Sequence, residues 1–542
     1  MNTVSVRLVC IAAGSLAIGF VAPADESSEL GEIEDSYADM NDALGAVGLI
    51  DSGSVASHGG LDRNAWSRVL EERRNAMRAG LVKLEDAKLS EEGRRAVMIM
   101  RDAVQPTDAS AGLAPVARCA DASQPGLGYT ALSESLYACF DEHGNNIEFE
   151  GVRHTRVAAF DLLARIDQAE RRKTLFMAFT PLWRAINADG GSGSPYRRLI
   201  SLAAAEARQH GSEIDAAART MGVSRASVEE WLIRILDAWH LASGDQAIEP
   251  WDYRYVGGGA ERALGDAVPR EMLQRLSARY YADLGADLAS IGTLYDLEPR
   301  PGKAPLAYAD FVSRGRMVGD VWRPTVTRVS ANYSRGGLGV LNELVHEDGH
   351  VVHMMAVRTR PAFMDLGDAL FVEAFADVPA WNTFDPAWQH KYLGRSAPAP
   401  LSLRSLYSSV MLDVAWALFE LRMLRDPASD PNAVWTAITS RYLHIVAHPE
   451  IPWWAARVQL VGSPGYMVNY GLGAVLTADL REHIAARLGS FETGDPRWYG
   501  WITTRLLQFG MSRETATLLR EFLGRPVSPD ALIADIARVS EE

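Results

Sequence analysis

The residues with the clearest chemical potential lie in the stretch 341–353, which reads LNELVHEDGHVVH. It contains a His-Glu-x-x-His pattern in which His346 and His350 are separated by one helical turn. On a helix this spacing puts both imidazoles on one face, where they can bind a single zinc ion. Glu347 then lies beside the open coordination position, where its carboxylate can act as a general base. The motif alone is a hypothesis, and a third ligand is needed to support it.

A third ligand is available in the apolar stretch 371–378, which reads FVEAFADV. Glu373 and Asp377 interrupt this run, and a carboxylate among apolar neighbours must be paired, protonated or bound to a metal. Their spacing puts both on one helical face. We therefore predict that Glu373 completes a two-histidine, one-glutamate zinc site and that Asp377 holds a ligand histidine by its other ring nitrogen. The alternative is two solvated acids on an amphipathic helix.

A further histidine, His353, lies about two helical turns after His346 and shares its face. A catalytic zinc ion has three protein ligands and keeps one position open, so a fourth protein ligand is unwanted. We predict that His353 packs against the site or supports a ligand without binding the metal.

Composition and the N-terminus restrict the possible partners and location of the chain. The 542 residues allow more than one domain, and the net charge of −15 weighs against nucleic acid as a partner. An uncharged run follows Arg7, and Ala22-Pro23-Ala24 fits a small-x-small cleavage site. We therefore predict a signal peptide over residues 1–24 and export to the periplasm or the medium. We find no second apolar run long enough to span a membrane.

Only Cys119 and Cys139 remain after the predicted cleavage. An even pair of cysteines in an exported protein favours a disulfide between them. The alternative is two buried free thiols, and we assign neither residue to the metal.

The rest of the chain divides by composition and periodicity. Residues 25–60 are acidic and then rich in Gly and Ser, which predicts a flexible leader with at most one short helix. Residues 61–244 have helical periodicity, interrupted by a looped excursion over 105–150, and form an N-terminal helical region. Residues 245–542 contain the metal motif and form the predicted catalytic domain. Within them, the alternating stretch 325–330 predicts a short strand.

Four stretches together resemble segments of one known family. They are Glu249-Pro250-Trp251-Asp252, residues 295–303, the pattern His-Glu-x-Gly-His-x-x-His over 346–353, and Phe371-Val372-Glu373. The likeness covers roughly residues 245–480 and is to the thimet oligopeptidase family of zinc metallopeptidases. It implies a mainly α fold, with two large helical lobes, a deep central channel and a small β-sheet next to the zinc helix. It also implies one zinc ion, short peptides as substrates and a monomeric enzyme.

A fifth stretch, 465–470, resembles a tyrosine-containing segment of the same family. The resemblance implies that Tyr466 and Tyr470 bind substrate and stabilise the oxyanion. The match is incomplete, because a further family tyrosine falls on Gly473 and a family histidine falls on Val461. The alternative is that both tyrosines only pack against a helix.

The function that follows is an exported zinc metallopeptidase in which Glu347 assists attack of a zinc-bound water on a peptide bond. The pattern at 371–378 also resembles the related angiotensin-converting enzyme family, so whether the enzyme is an oligopeptidase or a peptidyl-dipeptidase stays open. We also expect the strand at 325–330 to pair with the substrate main chain as a sheet edge. The alternatives are an impaired homologue that binds peptides or a protein without turnover, and a structural helical protein with a chance motif.

Overall fold

The computed structural model describes residues 28–51, 62–84, 87–104, 117–290, 292–300, 303 and 306–540. The predicted signal peptide, 1–24, lies outside these ranges. The described chain is mainly α-helical with a few small sheets, as the sequence predicts. None of the described helices is both long enough and apolar enough to cross a membrane.

The α-helices of the described residues fall into an N-terminal and a C-terminal series. The first series is α1 (Ser28–Asp51), α2 (Arg63–Lys83), α3 (Glu91–Ala103), α4 (Tyr129–Cys139), α5 (Arg156–Leu163), α6 (Ala169–Met177), α7 (Thr180–Asn187), α8 (Pro195–His210), α9 (Glu213–Met221), α10 (Arg225–Ala242), α11 (Tyr253–Gly257), α12 (Gly259–Leu264) and α13 (Leu273–Asp283). The second is α14 (Leu338–Ala356), α15 (Ala369–Ala380), α16 (Pro386–Leu393), α17 (Ala399–Arg425), α18 (Pro431–Tyr442), α19 (Gln459–Gly462), α20 (Met467–Leu488), α21 (Trp498–Ile502), α22 (Thr515–Leu523) and α23 (Asp530–Ala537).

The strands of the described residues form three small sheets. They are β1 (Ile147–Phe149), β2 (Val152–His154), β3 (Leu294–Asp296), β4 (Tyr308–Ser313), β5 (Arg316–Val318), β6 (Val321–Arg323) and β7 (Val326–Ser330). The hairpins β1-β2 and β5-β6 are antiparallel, whereas β7 is parallel to β3 and antiparallel to β4.

The strand predicted at 325–330 is β7, and it is the centre of the sheet β3-β7-β4. Both of its edges are hydrogen-bonded to neighbours, so it has no free edge for a substrate. Our expectation that this strand binds the substrate main chain is therefore wrong. The sheet instead supports the metal motif, because β4 and β7 both pack against α14.

Most of residues 25–60, which the sequence predicts to be a flexible leader, form helix α1 instead. Its apolar residues bury Leu30, Ile33 and Tyr37 against α2, in a core cluster that also contains residues of α3. Its acidic face pairs with arginines of the later chain, since Asp42 bonds Arg323 at 2.6 Å. The acidity that suggested disorder is therefore neutralised by distant partners, which the local sequence does not show.

The expected looped excursion also contains a helix. Residues 129–139 form α4, and Leu132 and Leu136 bury one of its faces in the main core. The structure joins Cys119 to Cys139, at the end of α4, by a disulfide. Residues 105–116 of the excursion lie outside the described ranges.

Candidate metal centre

Two helices of the main core carry the predicted metal ligands. Helix α14 begins at Leu338 after Gly337, whose φ of 124° is a backbone conformation that favours glycine. Helix α14 packs along α15, and α15 in turn packs along α20. Most of α14 from Leu344 onwards is buried, so its polar side chains must find partners inside the protein.

The three predicted ligands converge on one point. The Nε2 atoms of His346 and His350 lie 3.1 Å apart, and Nε2 of His346 lies 3.4 Å from Oε2 of Glu373. The ligand atoms of all three side chains lie within 4.8 Å of one another. These residues can therefore bind one metal ion between α14 and α15.

The donor set and its spacing fit zinc. Two imidazole nitrogens and one carboxylate oxygen are ligands typical of catalytic zinc sites, which leave a fourth position open. Zinc–nitrogen bonds of about 2.0–2.1 Å at a tetrahedral angle put two donor atoms about 3.3–3.4 Å apart. The separations of 3.1 and 3.4 Å from His346 to its two neighbours are close to that value.

Asp377, which the sequence predicts to hold a ligand histidine, contacts His346. The Nδ1 atom of His346 donates to Oδ1 of Asp377 at 2.7 Å, which leaves Nε2 free to face the centre. Burial by itself would lower the pKa of His346, but Asp377 and Glu373 outweigh burial and raise it well above the usual value. The site therefore favours a positive charge at this point, which a metal cation supplies.

Asp377→Asn is expected to lower zinc affinity about 10- to 100-fold, the usual effect of losing a carboxylate that orients a ligand histidine. The amide oxygen can still accept from His346, but it lacks the charge that makes the imidazole a strong donor to metal. Competition with a fluorescent chelator measures the affinity. Asp385→Asn, a change at the N-cap of α16, is the control and should leave zinc affinity unchanged.

Glu347 lies beside the three ligands. It is buried, with 6% of its surface exposed, and its Oε2 atom has no hydrogen-bond partner among the described residues. Burial raises the pKa of Glu347 to about 8, although the neighbouring His346 acts in the opposite direction. A divalent cation next to it would favour the ionised carboxylate, the form that can take a proton from water.

His353 packs and does not reach the metal site. Its ring lies edge-on to those of Phe371 and Phe375, with centroids 5.3 and 5.2 Å away. Burial lowers the pKa of His353 to about 3, so the ring is neutral. Of the two roles that the sequence leaves for this residue, the contacts favour packing between α14 and α15.

The two predicted tyrosines lie close enough to Glu373 for its charge to act on both. Tyr466 immediately precedes α20 and Tyr470 lies in its first turn, with ring centroids 5.7 Å apart. Burial is the main cause of the raised pKa of both phenols, and the negative charge of Glu373 adds to it. Both side chains are half-buried, and the Tyr470 hydroxyl accepts from Nε2 of Gln459 at 3.3 Å, which leaves its own O–H able to donate.

A buried glutamate that sequence reasoning missed holds this tyrosine segment. Oε2 of Glu420, on α17, accepts from the backbone N–H of Met467 at 2.9 Å. Gly465 also donates its backbone N–H to the same carboxylate. These hydrogen bonds hold the backbone on both sides of Tyr466 and fix the start of α20. In the sequence, this role of Glu420 is indicated by nothing more than an acidic residue within a mainly apolar stretch of α17.

The family tyrosine that is absent here leaves space in the structure. A Cβ atom added at Gly473 would meet no atom within 4 Å, although the residue is buried. At Gly471, in the same helix, the added atom would lie 2.9 Å from Leu232 and 3.0 Å from Ala417. Gly473 therefore has room for a larger side chain, whereas Gly471 has none.

Gly473→Ala is expected to raise the free energy of unfolding by about 0.5–1 kcal/mol, because alanine restricts the unfolded chain and favours the helix. Gly471→Ala is the matched control and is expected to lower it by about 1–3 kcal/mol through overpacking. Urea unfolding followed by circular dichroism measures both. A destabilised Gly473→Ala variant would show that the space beside this glycine is needed.

Two further residues near the site were missed by sequence reasoning. Asp348 is fully buried beside Glu347 and accepts from Ser277 at 2.5 Å and Tyr295 at 2.7 Å. Tyr333 is buried, and its hydroxyl has no partner among the described residues. Burial raises the pKa of Tyr333, and the charges of Glu343 and Glu347 add to the increase. In the sequence, the stretch 295–303 was notable only for its likeness to a family segment. In the structure its first residue, Tyr295, supports α14 through the hydrogen bond to Asp348.

Solved structures share this fold, although sequence comparison finds no relative. No protein-family model matches the chain, and no curated protein matches it. Trypanosoma cruzi metallocarboxypeptidase 1 is 15% identical over 95% of this chain and 100% of its own, with a TM-score of 0.52. A carboxypeptidase of Deinococcus radiodurans R1 is 14% identical with the same coverage and TM-score. At such low identity the likeness shows a shared fold alone.

Proposed function

We propose that this protein is an exported, zinc-dependent metallopeptidase that hydrolyses peptide bonds in short peptides. The observation that carries the proposal is the convergence of His346, His350 and Glu373 on one point. Glu347 lies beside it, and its Oε2 atom has no hydrogen-bond partner among the described residues. The shared fold with metallocarboxypeptidases supports the same class of reaction. It also favours removal of residues from the C-terminal end over cleavage inside the peptide.

The residues of the chain have distinct roles in this proposal. When bound, zinc would supply a Lewis acid that polarises a peptide carbonyl and makes water more acidic. Glu347 takes a proton from the attacking water and delivers it to the leaving amine. Tyr466 and Tyr470 lie on the side of Glu373 and can donate to the developing oxyanion. The buried surroundings of α14 exclude bulk water and strengthen these interactions.

Export is supported by two features of the chain. The predicted signal peptide precedes the described residues, and the disulfide between Cys119 and Cys139 suits an oxidising compartment. Fractionation of the natural host, followed by N-terminal sequencing of the mature protein, tests this part of the proposal. A mature chain that retains residues 1–24 would contradict it.

The test of activity is hydrolysis of a quenched peptide library, with products identified by mass spectrometry. We expect cleavage that stops on chelation of the metal and returns when zinc is added. Release of single C-terminal residues, of dipeptides or of internal fragments distinguishes a carboxypeptidase, a peptidyl-dipeptidase and an oligopeptidase. The second candidate, an impaired homologue, is favoured by Gly473 and Val461 in place of family residues. Zinc binding without any cleavage would support that candidate and contradict ours.

A further inference from the structure

Helix α20 packs along both α15 and α17, and its N-cap residue is Tyr466. In the middle of the helix, the hydroxyl of Thr477 donates to the carbonyl oxygen of Ala374 at 2.9 Å. Ala374 directly follows the metal ligand Glu373, so this hydrogen bond fixes α20 to the helix that carries part of the metal centre. The first turn of α20 lies about three turns away from Thr477 and needs an anchor of its own.

Glu420 supplies that anchor from α17. Its side chain is buried, and its carboxyl group accepts the backbone N–H groups of Gly465 and of Met467, the latter at 2.9 Å. The first N–H groups of a helix have no partner within the helix, and a side chain of the N-cap residue usually accepts one of them. The side chain of Tyr466 makes no such bond. A distant acid therefore caps α20, and the direction in which Tyr466 points depends on it.

The carboxyl group of Glu420 acts mainly as a neutral acceptor. Burial raises the pKa of Glu420 to about 8, although the two backbone N–H groups act in the opposite direction. At neutral pH the group is therefore mostly protonated. Glutamine has the same length and a carbonyl acceptor without charge, so it can replace these hydrogen bonds. Aspartate is shorter by one C–C bond, about 1.5 Å, and cannot reach both donors.

Tyr466 is the side chain that this anchor orients. It is half-buried, and its hydroxyl has no hydrogen-bond partner among the described residues. Burial raises the pKa of Tyr466 and the charge of Glu373 adds to the increase, so the phenol keeps its proton within electrostatic reach of a metal ligand. Such a donor is effective only when it is held in place, since a displacement of about 1 Å can cost about 100-fold in rate.

We propose that Glu420 is a positioning residue, which accepts the N–H groups on both sides of Tyr466 and so aims the phenol O–H at the oxyanion that develops on the substrate. This inference rests on the proposed peptidase function. It extends that function to a residue of α17 that contacts neither the substrate nor the metal, and it gives a physical reason for a buried acid at the start of another helix.

The test measures the binding of two peptide analogues to the zinc-loaded protein. One is a phosphinic peptide, whose tetrahedral P–O⁻ group stands in for the oxyanion, and the other has a CH₂–CH₂ link and no oxygen at that position. We expect Tyr466→Phe and Glu420→Asp each to weaken binding of the phosphinic peptide about 10- to 100-fold, as for loss of a hydrogen bond to a charged group. Affinity for the oxygen-free analogue should change less than about threefold in both variants.

The conservative variant and a double variant separate positioning from general damage. Glu420→Gln should restore the phosphinic affinity to within about threefold of the wild type. Glu420→Asp combined with Tyr466→Phe should bind no more than about threefold more weakly than Tyr466→Phe alone, because both changes remove the same donor. Asp479→Ala is the control, since Asp479 is a buried acid farther along α20 that accepts the backbone N–H of Ser528 at 3.0 Å. It should leave the phosphinic affinity unchanged even where it lowers the melting temperature.

A backbone change keeps the test decisive if Glu420→Asp does not fold. Replacing Met467 by its α-hydroxy acid removes the N–H that Glu420 accepts and keeps every side chain, and we expect it to weaken phosphinic binding at least about threefold. Unchanged phosphinic affinity in Glu420→Asp or in this ester, equal losses for both analogues, losses that add in the double variant, or a Glu420→Gln variant as weak as Glu420→Asp would each overturn the inference. Since binding is measured without turnover, a wild-type protein that shows the expected pattern but cleaves nothing would contradict the proposed function alone.

Discussion

Glu347→Gln is expected to lower kcat by a factor of about 10²–10⁴, the usual contribution of a general acid–base group, while zinc stays bound. Glutamine has nearly the same shape but cannot take a proton from water. Since Glu347 is not one of the three converging ligands, the metal site should remain intact. Steady-state hydrolysis of a quenched peptide measures kcat, and elemental analysis of the same sample measures zinc.

Glu343→Gln is the matched control for this change. Glu343 lies one turn earlier on α14, is half-buried, and has a raised pKa caused mainly by burial. It is not part of the metal-binding group. We expect an effect on kcat at least tenfold smaller than that of Glu347→Gln. Equal losses in the two variants would mean that Glu347 has no special role in proton transfer.

Gly349→Ala is expected to disrupt metal binding without touching a ligand. A Cβ atom at this position would lie 2.8 Å from Cα and 2.9 Å from the carbonyl oxygen of Ala376, both backbone atoms of α15. The two helices must then separate, and Glu373 and Asp377 move away from the histidines together. Loss of a carboxylate that supports a ligand lowers metal affinity by up to about 100-fold. We expect Gly349→Ala to lower zinc affinity by more than this. Overpacking should also cost about 1–3 kcal/mol of unfolding free energy.

Gly339→Ala is the control for glycine replacement in the same helix. The nearest atom to a Cβ there is Oε2 of Glu261, at 4.0 Å, and the residue is exposed. We expect this variant to bind zinc like the wild type. Chelator competition and thermal unfolding of both apo-proteins separate loss of metal from loss of fold. Unchanged zinc affinity in Gly349→Ala would show that the approach of α14 to α15 does not set the site.

The local parts of the site were predictable because they depend on helical periodicity alone. His346 and His350 share a face of α14 through their spacing of four residues. Glu373 and Asp377 stood out because charged groups in an apolar run require partners. The same reasoning failed for α1, whose acidic residues suggested disorder although their arginine partners lie some hundreds of positions later.

Sheet order was decided by contacts between distant segments. The alternation at 325–330 correctly indicated a strand, but nothing in that stretch shows that β3 and β4 occupy its two edges.

The sequence by itself determined the types and helical spacing of the metal ligands, because one turn of helix fixes which neighbours share a face. Only the tertiary structure decided that Glu373 reaches the two histidines, because this depends on how closely α14 and α15 approach. That distance is set by the absence of a side chain at Gly349 and by the backbone of Ala376 opposite it, a contact between two segments that no local pattern records.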